Sequence, residues 1–191
     1  MHLRMIFILT LVLALVNGAG SASANDTQTS KPPGALTTIA KLDVSRYLGT
    51  WVEIAKYPNR FQKKCVGDTR AHYSLQADGK VRVLNRCVTK GGEVSEALGE
   101  ARQIGDSTSP RLEVRFAPAW LSFIPLVWGN YWVIDLDPDY HLVAVSEPRR
   151  EYLWVLSRTP EVDPKTYSEL LERLEKKGFD LSRLERSRQR Q

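Results

Sequence analysis

Between Leu42 and Arg158 the chain repeats short β-prone segments, rich in Val, Ile, Tyr and Trp and separated by turn signals at near-regular spacing. The pattern predicts eight strands, at Gly49–Tyr57, Thr69–Gln76, Val81–Cys87, Glu93–Arg102, Arg111–Phe116, Tyr131–Leu136, His141–Ser146 and Tyr152–Arg158. Asp78-Gly79 suits a tight hairpin between the second and third strands. Consecutive short connections favour an all-β fold, an eight-stranded up-and-down antiparallel barrel, and this strand number closes around space for one small ligand.

After the eighth segment the hydrophobic period changes to that of a helix. The apolar face of this helix consists of Tyr167, Leu170, Leu171 and Leu174, at the spacing i, i+3, i+4, i+7. Asp163 can cap the helix, Pro164 suits its first turn and Gly178 suits its end. We expect one C-terminal α-helix that packs outside the barrel, against a patch that includes Val52 and Ile54.

Alternation along the strands predicts which side chains line the barrel interior. Starting from Trp51, it assigns to the interior Glu53, Ala55 and Tyr57 of the first strand, Ala71, Tyr73 and Leu75 of the second, and Leu112, Val114 and Phe116 of the fifth. Apolar walls with a few polar anchors suit an acyl chain whose head group stays near water. The alternative is a small barrel whose own side chains fill the interior, and alternation alone does not separate the two.

The connection between the fifth and sixth strands, Ala117–Asn130, is unusually apolar for a loop. It lies at the open end of the barrel, on the rim that also carries Phe61. We expect it to be either a lid over the cavity or a peripheral contact with a bilayer. The predicted ligand-binding residues are Glu53, Tyr57, Phe61, Tyr73, Phe116, Trp120, Phe123 and Trp128.

The N-terminal residues are typical of a secretory signal peptide over residues 1–24. The apolar run Met5–Val16 follows Arg4 and precedes Ala22-Ser23-Ala24, a small-residue cleavage pattern. This run is shorter than the ~20 residues of a transmembrane helix. A polar, Pro- and Gly-punctuated stretch then predicts a flexible leader over 25–41, followed by the barrel domain over 42–191. We therefore expect an exported protein, periplasmic or secreted.

Two cysteines, Cys65 and Cys87, both fall at the open end of the predicted barrel. In an oxidising compartment such a pair favours a disulfide, which here would close a loop of ~22 residues. The alternative is that Cys65 remains a free thiol at the mouth of the barrel. Neither cysteine follows the signal peptide, so we expect no acyl anchor and at most a peripheral contact with an outer membrane.

The remaining composition offers little chemistry. His72 and His141 lie on different predicted strands, without a Gly-x-Ser-x-Gly elbow. The series Asp135, Asp137, Asp139 lacks the glycine and the distal glutamate of a calcium loop. The net charge of +5 includes a C-terminal run of arginines that we interpret as a solvated tail, without the aromatic interleaving of a nucleic-acid surface. We expect no catalytic residue, no metal, no cofactor and no nucleic-acid partner.

Gly49, Trp51 and Arg158 are predicted to close one end of the barrel. In an up-and-down barrel the start of the first strand and the end of the eighth lie side by side at the same end. The Arg158 guanidinium can therefore stack on the Trp51 indole, a contact worth ~0.5 to 2 kcal/mol. This role is structural rather than catalytic.

These residues resemble a known family, the lipocalins, through Gly49-Thr50-Trp51 at the start of the first strand and Arg158 at the end of the eighth. The resemblance extends to bacterial lipocalins of the apolipoprotein D-like group, through Tyr47-Leu48-Gly49-Thr50-Trp51, Pro58-Asn59-Arg60-Phe61, Tyr73-Ser74-Leu75 and Leu156-Ser157-Arg158-Thr159-Pro160. It implies transport or storage of a fatty acid or lysophospholipid for envelope maintenance. Because a few lipocalins isomerise lipids with a cavity cysteine, the resemblance also implies the alternative of a lipid-modifying isomerase that uses Cys65 as a free thiol. Some bacterial members are acylated, whereas this sequence lacks the necessary cysteine. We expect a monomer or a homodimer.

Overall fold

The computed structural model describes residues 34–118, 121 and 124–189, so the predicted signal peptide lies outside the described residues. The barrel strands are β1 Gly49–Lys56, β2 Cys65–Leu75, β3 Val81–Thr89, β4 Val94–Gln103, β5 Arg111–Arg115, β6 Gly129–Leu136, β7 Leu142–Ser146 and β8 Leu153–Ser157. Each strand pairs antiparallel with the next, and β1 pairs with both β2 and β8. This pairing closes the sheet and confirms the predicted eight-stranded barrel.

The helical elements are α1 Val44–Tyr47, α2 Pro164–Lys176 and 3₁₀ turns at Arg60–Gln62, Pro125–Val127 and Leu181–Arg183. The carboxylate of Asp163 accepts a hydrogen bond from the Thr166 amide at the start of α2. Gly178 follows the helix with φ of +83°, a conformation that favours glycine. Within the described part of the chain, no helix is long and apolar enough to cross a membrane.

Two hydrophobic clusters lie on opposite sides of the barrel wall. The inner cluster includes Trp51, Tyr73, Leu112, Val133 and Val143. The outer cluster joins the wall to α2 and includes Val52, Ile54, Val155, Leu170, Leu174 and Phe179. Because Leu170 and Leu174 are almost fully buried against Val52 and Ile54, the helix packs outside the barrel, as predicted.

A β-bulge in β1 changes which side chains face the interior. The pairing of β1 with β8 shifts register between Glu53 and Ala55. Before the shift, Trp51 belongs to the inner cluster; after it, Ala55 and Tyr57 belong to the outer one. The Tyr57 ring lies 6.2 Å from that of Phe179, outside the wall. The prediction that Tyr57 lines the interior is wrong, because the extra residue reverses the alternation of the strand.

The C-terminal segment, as far as the structure describes it, lies beside the open end of the barrel and contains a ninth strand, β9, at Glu185–Arg186, which pairs with the end of β1. The Ser187 amide donates to the Ile54 carbonyl at 2.9 Å, and the Asp68 amide of β2 donates to the Arg188 carbonyl at 2.8 Å. The segment 185–189 thus fills a gap between β1 and β2. The expected solvated tail is therefore part of the wall in its described portion, since main-chain hydrogen bonds order it despite its charge.

The described part of the predicted flexible leader also packs on the barrel. Leu36 is 5% exposed and belongs to the outer cluster. The Ile39 amide donates to the Val133 carbonyl at 3.1 Å. The packed domain therefore begins several residues before Leu42.

Candidate functional site

The closed end of the barrel is built around Trp51 and Arg158. The Arg158 guanidinium carbon lies 3.8 Å from the centroid of the fully buried indole. The guanidinium also donates to three carbonyl oxygens, those of Thr50, Arg46 and Tyr140, at 2.8 to 3.1 Å. A β-carbon at Gly49 would come within 3.4 Å of this group, and φ of +93° there favours glycine. These contacts hold the guanidinium against the Trp51 indole and three main-chain oxygens at the floor of the barrel.

Above this floor, three tyrosine side chains meet inside the barrel. Tyr47 and Tyr73 are buried, and their rings stack at 5.6 Å between centroids. The Tyr131 hydroxyl lies 2.7 Å from that of Tyr47 and 3.0 Å from that of Tyr73. Burial raises the pKa of Tyr73 to about 12 and holds the pKa values of Tyr47 and Tyr131 well above the usual range. All three hydroxyls are therefore neutral at physiological pH.

Some of the side chains that pack against the inner cluster are not fully buried. Val114 and Tyr131 pack against the inner cluster, yet both keep partly exposed surfaces.

Glu53 lies towards the open end, nearly fully buried, with both carboxylate oxygens occupied. Gln62 donates to one oxygen, and Ser187 of the C-terminal segment donates to the other at 2.6 Å. The Gln62 carbonyl in turn accepts from the Trp154 indole at 3.0 Å. Glu53 was predicted as a ligand anchor, but its hydrogen bonds instead connect β1, the following 3₁₀ turn and the end of the chain.

Glu53 should also make the free energy of unfolding depend on pH. Burial raises the pKa of its carboxyl, while the bonds from Ser187 and Gln62 act in the opposite direction. A raised pKa in the folded state means that the charged form is disfavoured by folding. The contribution of Glu53 to stability is thus complete below the unfolded value, ~4.3, and is lost as pH rises through the folded value.

We therefore expect Glu53→Gln to gain stability relative to the wild type as pH rises from 4 to 7. Urea unfolding at several pH values measures the difference in free energy of unfolding between the two proteins. Curves that stay parallel across this range would contradict the prediction.

Aromatic side chains line the open end near β8. The Phe61 ring lies 5.5 Å from that of Tyr152, and the Tyr152 ring stacks on Trp154 at 5.8 Å. Phe61 remains 59% exposed, as expected for a rim residue. Tyr152 and Trp154 were not among the predicted site residues, although they follow the alternation of the eighth strand.

The loop between β5 and β6 contributes Phe116 and Trp128 in different ways. Phe116 lies over Gly99, where an added β-carbon would come 2.7 Å from its ring, and it is 45% exposed. Trp128 lies over the guanidinium groups of Arg102 and Arg115, at 4.1 and 5.1 Å, on the outer side of the sheet. This position does not support the predicted role of Trp128 in lining the cavity.

Two further predicted ligand-binding residues, Trp120 and Phe123, lie outside the described residues. The choice between a lid and a bilayer contact for this loop therefore stays a prediction. Leu126, in the same loop, has 93% of its surface exposed to solvent.

The predicted disulfide between Cys65 and Cys87 is confirmed, with 5.6 Å between the α-carbons. It connects the first residue of β2 to β3 near the open end. Since both sulfurs are in this bond, Cys65 is not a free thiol in this structure.

The comparisons with known sequences agree with this architecture. The lipocalin-like domain family matches residues 42–189. The chain is 40% identical to temperature-induced lipocalin-1 of Arabidopsis thaliana over 81% of its length and 83% of that protein. It is 37% identical to outer membrane lipoprotein Blc of Escherichia coli K12, covering 80% and 82% of the two chains. It is 31% identical to mouse apolipoprotein D, covering 74% of each.

A solved structure shows the same fold at lower sequence identity. Insecticyanin from the tobacco hornworm Manduca sexta superposes with a TM-score of 0.60 and 19% identity, over 82% of this chain and 87% of that one. The fold, the closed end and the family match together place the chain in the lipocalin family, in the group of Blc and apolipoprotein D.

Proposed function

We propose that the protein binds a single-chain lipid, a fatty acid or a lysophospholipid, inside the barrel, and carries or stores it unchanged. Lipocalins bind small hydrophobic ligands. The observations that carry the proposal are a floor closed by Trp51 and Arg158 and, packed against the inner cluster, Val114 and Tyr131, which both keep partly exposed surfaces. An interior with a closed floor and an open rim suits a narrow chain that enters from one end.

The rim offers charge for a lipid head group. Lys63 and Lys64 are exposed beside the 3₁₀ turn that carries Phe61. Lys56, at the end of β1, pairs with Glu185 at 3.3 Å. Ammonium groups at the mouth can attract a carboxylate or a phosphate while the chain lies inside.

The disulfide supports binding over the isomerase alternative. A bonded Cys65 offers no thiolate, and the thiolate is the nucleophilic form of cysteine. The same bond fits an exported protein, so we place this lipid carriage outside the cytoplasm, in the periplasm or as a secreted protein.

We expect saturable binding of one lipid per chain. Isothermal titration calorimetry with hexadecanoate and with palmitoyl lysophosphatidylcholine measures affinity and stoichiometry, and native mass spectrometry reports co-purified lipid and the oligomeric state. Absence of binding to both lipids would contradict the proposal.

A matched pair of variants tests whether the lipid lies inside the barrel. Val114 faces the interior, whereas its neighbour Glu113 faces outward and pairs with Arg102 at 2.8 Å. Val114→Trp fills the interior space and should weaken hexadecanoate binding about ten-fold, or about 1.4 kcal/mol. Glu113→Trp should leave the affinity unchanged. Equal effects of the two substitutions would place the lipid elsewhere.

A further inference from the structure

The hydroxyls of Tyr47, Tyr73 and Tyr131 form a chain with Tyr131 in the middle. They belong to α1, β2 and β6, so this chain joins three separate parts of the barrel above its floor. No other described side chain or main-chain group forms a hydrogen bond with any of the three hydroxyls. Among the described residues, the three hydroxyls therefore have only one another as hydrogen-bond partners.

The contacts among the three hydroxyls cannot use all of their protons. Three neutral hydroxyls carry three protons, and each proton can be donated once. The chain contains only two oxygen–oxygen contacts, so two protons are used and one has no acceptor among the described residues, whichever way the hydroxyls rotate. A buried donor without an acceptor is destabilising, so an acceptor in the interior would be stabilised here.

Tyr131 is the least buried residue of the group and the one in contact with both other hydroxyls. Tyr47 and Tyr73 are 4% and 6% exposed, whereas Tyr131 keeps a partly exposed surface. If Tyr47 and Tyr73 both donate to the Tyr131 oxygen, the Tyr131 proton is the one that remains.

We propose that the Tyr131 hydroxyl, supported by Tyr47 and Tyr73, donates a hydrogen bond to a neutral oxygen at the inner end of the bound ligand. The inference rests on the proposed function and narrows the ligand to a single-chain lipid that carries such an oxygen on its chain, as a keto group does. A carboxylate is a poor fit, because it would lose its hydration for a single donor. Charged head groups thus stay at the rim.

The test uses fatty acids that differ only in one acceptor. Hexadecanoate is compared with oxohexadecanoates that carry a keto group at carbon 9, 12 or 15. The three positions sample different distances between the carboxylate and the Tyr131 hydroxyl, so the test does not depend on how deeply the acyl chain enters the barrel. Each protein is characterised by the ratio of its affinity for the keto probe to its affinity for hexadecanoate. We expect that for at least one keto position this ratio is about five-fold higher in the wild type than in the variant Tyr47→Phe/Tyr73→Phe/Tyr131→Phe.

The triple variant removes every hydroxyl of the group and so leaves no unpaired donor to disturb folding. The single variant Tyr131→Phe should lower the ratio as the triple variant does, whereas Tyr73→Phe, which keeps the Tyr131 hydroxyl, should retain it. The carbonyl stretching frequency of the bound keto probe gives a direct readout. It should be lower in the wild type than in the triple variant.

The outcomes separate this inference from the proposed function. If hexadecanoate binds but no keto position responds to loss of the hydroxyls, the inference is overturned and lipid binding stands. If only a keto probe binds, the inference is supported and plain fatty acids are excluded. If no probe binds, both proposals fall.

Discussion

The Arg158→Ala variant should lose about 3 kcal/mol of the free energy of unfolding, and its melting temperature should fall by about 10 °C. The substitution removes a stacking contact with Trp51 and three hydrogen bonds from a charged donor. It also leaves three carbonyl oxygens without that partner. The estimate is below the sum of these contributions because the guanidinium is partly exposed to water.

Arg46→Ala is the matched control at the same end of the barrel. Arg46 also stacks on an aromatic ring, that of Tyr140 at 4.0 Å, and donates to the Pro138 carbonyl. It is exposed, so its loss should cost less than 1 kcal/mol, as for other exposed contacts. Urea and thermal unfolding compare the two variants. Equal losses would mean that the floor does not depend on Arg158.

Removing the disulfide should cost a similar amount, about 3 kcal/mol for Cys65→Ala/Cys87→Ala. The bond closes a loop with a sequence separation of 22 residues, and opening it raises the entropy of the unfolded chain. The wild type should lose the same stability on reduction with dithiothreitol.

The double variant should not respond to dithiothreitol, which distinguishes loss of the bond from a general effect of the reductant. Urea unfolding of the wild type and of the double variant, each with and without dithiothreitol, gives the four free energies of unfolding to be compared. A double variant as stable as the oxidised wild type would show that the bond contributes little to the stability of the domain.

Strand and helix positions were predictable because each element buries one face. Leu170 and Leu174 follow the helical period, and both are buried in the structure. The closed end was predictable for a topological reason, since the first and last strands of a closed meander must be neighbours. Trp51 and Arg158 accordingly meet at 3.8 Å.

The alternation of side chains predicted the wrong side of the barrel wall for residues of β1 that follow its bulge. No residue type near Ile54 signals the bulge, and once it is present Tyr57 moves to the outer side, against Phe179. β9 was missed because its two residues, Glu185 and Arg186, are exposed and polar, so main-chain pairing alone defines it. Tyr47 was not predicted as an interior residue because it lies in α1, before the first strand.

The position of segment 185–189 in the wall has a consequence for how the molecule folds. Ser187 and Glu53 are 134 residues apart along the chain, so the last piece of the wall pairs with one of the first strands. Such distant contacts carry a large loop-closure cost and slow the search for the native state. Until they form, the edge of β1 presents unpaired amides and carbonyls, which are templates for intermolecular pairing. Aggregation during refolding should therefore begin at this edge, and a synthetic peptide of residues 184–189 added in trans should suppress it.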